Sequence, residues 1–152
     1  MLNLLLRAAA AWTAVGLAGG LFYRELTKQN GVAGGTQLAV VHTHALALGT
    51  LVMLVLLALV GTWRGLESSR AFRLGVWVWQ VGLALTTGGM LLKGSLQVLD
   101  SQSASTPALA GVSGLGHITL TAAFILLFVG LRTVVPSAPS MPPAAVAAKV
   151  EA

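Results

Sequence analysis

The chain has 152 residues but only thirteen charged side chains, nine Lys or Arg and four Asp or Glu. Charged residues make up 9% of it and hydrophobic ones 56%, whereas ordinary soluble domains are about 25% charged. A short chain exposes too much surface for so few charges to cover, so a soluble enzyme and a disordered polymer are excluded and a membrane protein remains. The net charge of +5 comes from isolated bases that form no stripe, so nucleic acid is not the partner; the bilayer is.

The charges divide the chain into spans. Uncharged runs cover 16 residues (8–23), 35 (29–63), 19 (74–92) and 31 (101–131), and about 20 apolar residues cross a bilayer. The expectation is an all-α, integral membrane four-helix bundle over residues 1–135, with spans at about 2–22, 38–62, 72–92 and 110–131. Arg7 can snorkel from within the first span. That span reads as a retained helix, because Arg7 sits behind five apolar or neutral residues and no clear A-x-A site precedes Tyr23. Residues 136–152, rich in Pro and Ala, read as a disordered tail.

Orientation follows from the bases. The amino end, second loop and tail hold six (Arg7, Arg64, Arg70, Arg73, Arg132, Lys149), against three in the first and third loops (Arg24, Lys28, Lys93). Both termini are therefore expected in the cytoplasm, with the protein multi-pass in a bacterial inner membrane. Trp63, Trp77 and Trp79 read as an inner interfacial belt, and Gln80 as a hydrogen-bonding partner for a neighbouring helix, with a quinone contact as the rarer use.

Spans one and three end alike. Gly19-Gly20-Leu21-Phe22-Tyr23-Arg24 parallels Gly88-Gly89-Met90-Leu91-Leu92-Lys93, and each is followed by a polar loop and a span with His near its start. Two pseudo-repeated helical hairpins would place His44 and His117 at equivalent positions across an axis along the membrane normal. Gly pairs are also common wherever membrane helices approach closely.

The chain has no Cys, and its three His (His42, His44, His117) all lie in apolar surroundings. No acid falls within the spans to charge an imidazole, so the neutral, metal-binding form is expected. Residues i and i+2 of a helix point about 200° apart, so His42 and His44 cannot chelate one small ion. A flat cofactor held by one His from each of two helices suits the pattern better, and that cofactor is haem b, between spans two and four near the outer face. Gly49 and the Gly residues of the spans would give it flat room, and Arg24, Lys28 or Lys93, with Tyr23, would meet its propionates. The partner of His117 stays open. The His42 face carries Ala39, Ala45, Gly49 and Met53, which suits packing, whereas the repeat points to His44, whose face carries Leu48, Leu51 and Val55. Met53 and Met90 are further candidate axial ligands, more commonly packing residues.

The segment Val41-His42-Thr43-His44-Ala45-Leu46-Ala47-Leu48-Gly49 resembles a family of small bacterial four-helix membrane proteins with a domain of unknown function. Phe22-Tyr23-Arg24-Glu25-Leu26-Thr27, Thr36-Gln37-Leu38, Gln97-Val98-Leu99 and Gly114-Leu115-Gly116-His117 share the likeness, which covers about residues 3–131. The His-x-His pair is also distantly similar to the catalytic subunit of haem-copper oxidases. That likeness implies His44 and His117 as an axial pair and His42 facing a second centre; four spans in place of twelve, and no further His for copper, set the chain apart from an oxygen-reducing pump. The expected work is single-electron transfer or binding of a small gas, with a homodimer helping to enclose the haem. Two rivals are a membrane protein that binds or transports copper or another metal, and a structural helper subunit of a respiratory complex.

Overall fold

The computed structural model describes residues 1–135; the expected tail, 136–152, lies outside the described residues. Each apolar run becomes one helix: α1 (Leu2–Gln29), α2 (Gln37–Thr62), α3 (Arg70–Val98) and α4 (Pro107–Leu131). Among the described residues there is no strand. All four helices are long and apolar enough to cross a bilayer, and a helix satisfies every interior backbone group within itself, as hydrocarbon demands. The helices α1 and α3 overrun the expected spans by one to two turns. Their polar final turns still bury Thr27 and Val98 against neighbours.

Local chemistry sets the ends. Gly31, Gly34 and Gly35 all take positive φ in the first loop, a conformation open to Gly without penalty. Gly65 does the same in the second loop, and Ser69 caps α3 by accepting a hydrogen bond from the Phe72 N–H. Pro107 opens α4 at its first turn, where its missing N–H costs nothing.

Helix α2 is irregular in a way that matters for the site. It opens as a tight 3₁₀ turn over Gln37–Val40, runs as α over Val41–His44, widens to a π-helix over Ala45–Leu51 and returns to α from Val52. Its buried stripe, Val41, Ala45, Gly49 and Met53, recurs every fourth residue. At 3.6 residues per turn that spacing would drift about 40° per step. The i→i+5 bonding of a π stretch unwinds the helix and keeps the stripe on the core. One carbonyl there, Leu48 O, accepts a hydrogen bond at 2.9 Å from the Trp79 indole. Trp79 is thus fully buried, correcting its expected place in an interfacial belt; Trp77 is the exposed one.

The chain folds as two antiparallel hairpins, α1–α2 and α3–α4, joined where α2 packs on α3. The α2–α3 contact is closest at the end bearing the first and third loops, hereafter the histidine end. There Gly94 lies against the Leu38 backbone, so close that a methyl on it would meet Leu38 Cα at 2.6 Å. The Gln97 side-chain oxygen also caps the Gln37 N–H at 2.8 Å. The core of the opposite half is built from Leu5, Met53, Leu56, Leu66, Phe72, Trp79, Leu83 and Leu127. Across it runs a polar chain, from Trp12 Nε1 to Gln80 Oε1 (2.6 Å) and from Gln80 Nε2 to Met53 Sδ (2.9 Å). Gln80 therefore bonds to neighbouring helices, as its place in the sequence implies, and Met53 Sδ is engaged.

The hairpins are similar but not superposable in their glycine contacts. A methyl on Gly20 would sit 3.6 Å from the His42 Cβ, whereas one on Gly89 would sit 2.7 Å from the Ser113 hydroxyl. Measured from those contacts, His44 is two residues further on and His117 four, so the two are not equivalent positions.

Candidate functional site

The ladder of close contacts along α3 gives the depth of each histidine. On the α4 side, Gly82 meets Leu120, Thr86 meets Gly116 and Gly89 meets Ser113, which puts His117 level with Leu85. On the α2 side, Gly94 meets Leu38, which puts His44 level with Gly88. The two levels differ by three residues of α3, about 4.5 Å at 1.5 Å per residue. Both imidazoles therefore lie in the half of the bundle nearest the histidine end, within one helical turn of each other in depth.

They also share a lane. Helices α2 and α4 scarcely touch; the space between them is floored by α3. Through the π stretch His44, Leu48 and Val52 follow one another at four-residue spacing, and Val52 lines the groove shared with α4. On α4, His117 lies seven and eleven residues before Phe124 and Phe128 and so on their face. Below the histidines the lane closes to a groove of about 290 Å³, lined by Val52, Val55, Leu56 and Leu59 of α2, Trp79 of α3, and Phe124 and Phe128 of α4. The Trp79 and Phe124 rings meet edge to face at 4.6 Å. At the level of the histidines, periodicity puts Thr86 and Met90 on the floor, both buried, and Lys93 one turn further toward the histidine end.

Each imidazole of the lane is fixed by its own helix. His44 Nδ1 lies 2.9 Å from Val40 O, and His117 Nδ1 lies 2.8 Å from Ser113 O, in both cases the carbonyl four residues back. A carbonyl can only accept, so Nδ1 carries the proton and the neutral ring keeps its lone pair on Nε2. That is the tautomer a metal-ligating His adopts when its second nitrogen is held by a backbone carbonyl. His44 is half-buried and His117 exposed.

His42 is held differently. It faces α1, where a methyl on Gly20 would lie 3.6 Å from its Cβ and 3.7 Å from its Cγ. Its Nδ1 is buried without a partner, and its Nε2 lies 3.5 Å from the Thr43 hydroxyl. The i, i+2 spacing has thus put His42 and His44 on different sides of α2. Among the described residues no three or more His, Cys, Asp or Glu gather where they could hold a metal ion, so the three histidines do not form one compact copper or zinc site.

Two expected contributors are elsewhere. The hollow at Gly49 is filled by the Trp12 side chain, since a methyl there would meet Trp12 Cβ at 2.5 Å and Cδ2 at 2.9 Å; Gly49 serves the α1–α2 seam and leaves no flat room for a cofactor. Arg24 is exposed on α1 and bonded to Glu25, across α2 from the lane. Lys93 alone of the expected propionate partners lies on a helix that borders it. A second groove, of about 520 Å³, separates α1 from α3 and is lined by Val15, Gly19, Phe22, Gly88 and Leu91 with Val41 at its base; it contains no histidine.

The family described as "protein of unknown function (DUF2871)" matches residues 2–134, nearly the whole chain. The chain belongs to that family. No curated protein and no solved structure matches this DUF2871 member. Sequence reasoning passed over Thr86 and Ser113, whose hydroxyls are buried at the α3–α4 seam without a hydrogen-bond partner. Gly116 and Gly89, directly opposite, were the available signal: each admits a hydroxyl where a Cβ would otherwise stand.

Proposed function

We propose that this protein is a membrane haem b protein in which His44 and His117 would hold the haem and whose work is single-electron transfer. The observation that carries the reading is that His44 and His117 each have Nδ1 held by the carbonyl four residues back, which leaves Nε2 as the free donor on helices α2 and α4. The donor chemistry fits the group: two neutral imidazoles over a floor of Thr86 and Met90 suit a flat tetrapyrrole, whereas a compact zinc or copper ion asks for three or four converging ligands. Haem bound there would supply a one-electron couple. His44 and His117 would hold it on both faces, leaving no open position for a gas, and that favours the electron-transfer reading over gas binding. Thr86 and Met90 would form the floor, and Lys93 would pair with a propionate. The distant likeness of the His-x-His segment to haem-copper oxidases agrees with this choice of axial pair. The tally of bases supports an inner-membrane protein with both termini in the cytoplasm and the histidine end outward.

The test is purification of the full chain after haem-replete expression, with absorption spectra of both redox states and a pyridine haemochrome. His44→Ala and His117→Ala should each abolish the six-coordinate spectrum, and His42→Ala should preserve it. Copper or zinc without iron in the same preparation would refute haem in favour of a metal-binding protein. Unchanged cofactor content in all three variants, with a co-purifying partner, would favour a helper subunit.

A further inference from the structure

The glycine pairs near the ends of α1 and α3 divide their work. Gly20 and Gly89 face their own hairpin partners, His42 and Ser113. Gly19 and Gly88 instead line the groove of about 520 Å³ between α1 and α3. A methyl on Gly19 would rest on the floor residue Val41, 3.4 Å from its Cγ1, and one on Gly88 would have nothing within 4 Å. Both glycines therefore widen the groove, unlike Gly49, whose hollow Trp12 fills.

The groove has the depth and direction of one bilayer leaflet. Its walls run along the helix axes from Val15 to Phe22 on α1 and from Gly88 to Ser95 on α3, seven residues each. That is about 10.5 Å at 1.5 Å per residue, within the roughly 15 Å that one leaflet contributes to the hydrocarbon core. Ser95, at the histidine end, is the one polar side chain of the lining. One turn beyond Phe22 on the same face of α1 stands Glu25, the only acid of that helix, bonded to Arg24. A carboxylate and a guanidinium thus sit at headgroup level, directly outside an apolar slot that descends into the membrane.

From this we infer that the groove seats one acyl chain of a phospholipid from the leaflet at the histidine end, and that its headgroup is zwitterionic ethanolamine. The lipid ammonium meets Glu25 and its phosphate meets Arg24, whereas an anionic headgroup without an amine would leave the carboxylate opposed by like charge. The inference does not rest on the haem reading.

The test uses the full chain, delipidated in detergent and titrated with palmitoyl-oleoyl phosphatidylethanolamine or the phosphatidylglycerol of the same chains, with bound lipid counted by native mass spectrometry. The expected result is one phosphatidylethanolamine per chain, held about fivefold more tightly than phosphatidylglycerol, the scale of an exposed charge pair. Gly88→Leu should weaken it about tenfold, roughly 1.4 kcal/mol, because the new side chain has open space in the groove and competes with the acyl chain. Gly111→Leu, whose side chain also has open space but lies on α4, should bind as the wild type does. Glu25→Gln should bring the two lipids to equal affinity. Equal affinity already in the wild type would overturn the headgroup site, and binding untouched by Gly88→Leu would overturn the seat in the groove. A lipid-free dimer that Gly88→Leu converts to monomer would overturn both and give the groove to a second copy of the chain.

Discussion

Gly49→Ala is the substitution that most directly separates packing from cofactor space on α2. The new methyl would lie 2.5 Å from Trp12 Cβ and 2.9 Å from Cδ2, against an optimal carbon–carbon separation of about 3.5–4.0 Å. The ring root must therefore retreat by about 1 Å, and Cβ, unlike the tip of a flexible side chain, moves only with its helix. Overpacking of this kind costs about 1–3 kcal/mol. The shift also strains the 2.6 Å bond from Trp12 Nε1 to Gln80, and hydrogen bonds between membrane helices are worth about 0.6–1.7 kcal/mol. The expected loss is about 2–4 kcal/mol, read as a shift in reversible SDS unfolding from bicelles. Trp12→Leu should rescue part of it, with a coupling energy of at least about 1 kcal/mol. Haem bound per folded molecule should stay unchanged. A variant as stable as the wild type, or one that folds normally but loses haem, would refute the assignment of Gly49 to the seam.

Gly94→Ala should be worse than Gly49→Ala, at or above about 3 kcal/mol, because its methyl would meet the Leu38 backbone at 2.6 Å and no rotamer relieves that; the same unfolding assay decides. Trp79→Phe keeps an aromatic ring against Phe124 but leaves Leu48 O without its donor, and should cost about 0.5–1.5 kcal/mol. If Lys93 pairs with a propionate, Lys93→Gln should lower the midpoint potential of bound haem, since a nearby positive charge favours the reduced iron; an unchanged or raised potential in redox titration would remove Lys93 from the site. Fusions carried after residue 135 should report a cytoplasmic location and insertions at Gly34 an external one; the reverse pattern would invert the orientation.

How much of this was legible in the sequence differs from element to element. The four helices were, because uncharged runs of membrane length leave few alternatives, and each run became one helix. The depth of the histidines was also approximately readable, since rise per residue is nearly constant. Angular position was not. A uniform 3.6-residue period groups His42 with Ala45, Gly49 and Met53. The core stripe instead begins at Val41, because the π stretch over Ala45–Leu51 changes the period within the segment that follows the histidines. Gly49 was misread for a related reason: a sequence shows that a Gly leaves space, but not that Trp12, 37 residues earlier, fills it. Arg24 lies on α1, across α2 from the lane, a placement that proximity to a span end does not reveal.

The i, i+2 spacing of His42 and His44 carries more of the argument than either residue alone. Two imidazoles about 200° apart on one helix cannot both meet His117, so the helix presents one nitrogen to each side. On the lane side that leaves one Nε2 from each helix, a donor count too low for a tetrahedral ion and matched to the haem proposed above. The π stretch then sustains the arrangement: it keeps His44, Leu48 and Val52 in file along the lane while Val41, Ala45, Gly49 and Met53 stay in the core. A plain α-helix would rotate Met53 by about 120° from Val41 over three four-residue steps and Val52 by about 80° from His44 over two. The irregular geometry of α2 is therefore the feature by which one helix seats its packing face on α1 and turns the His44 face toward α4 at once.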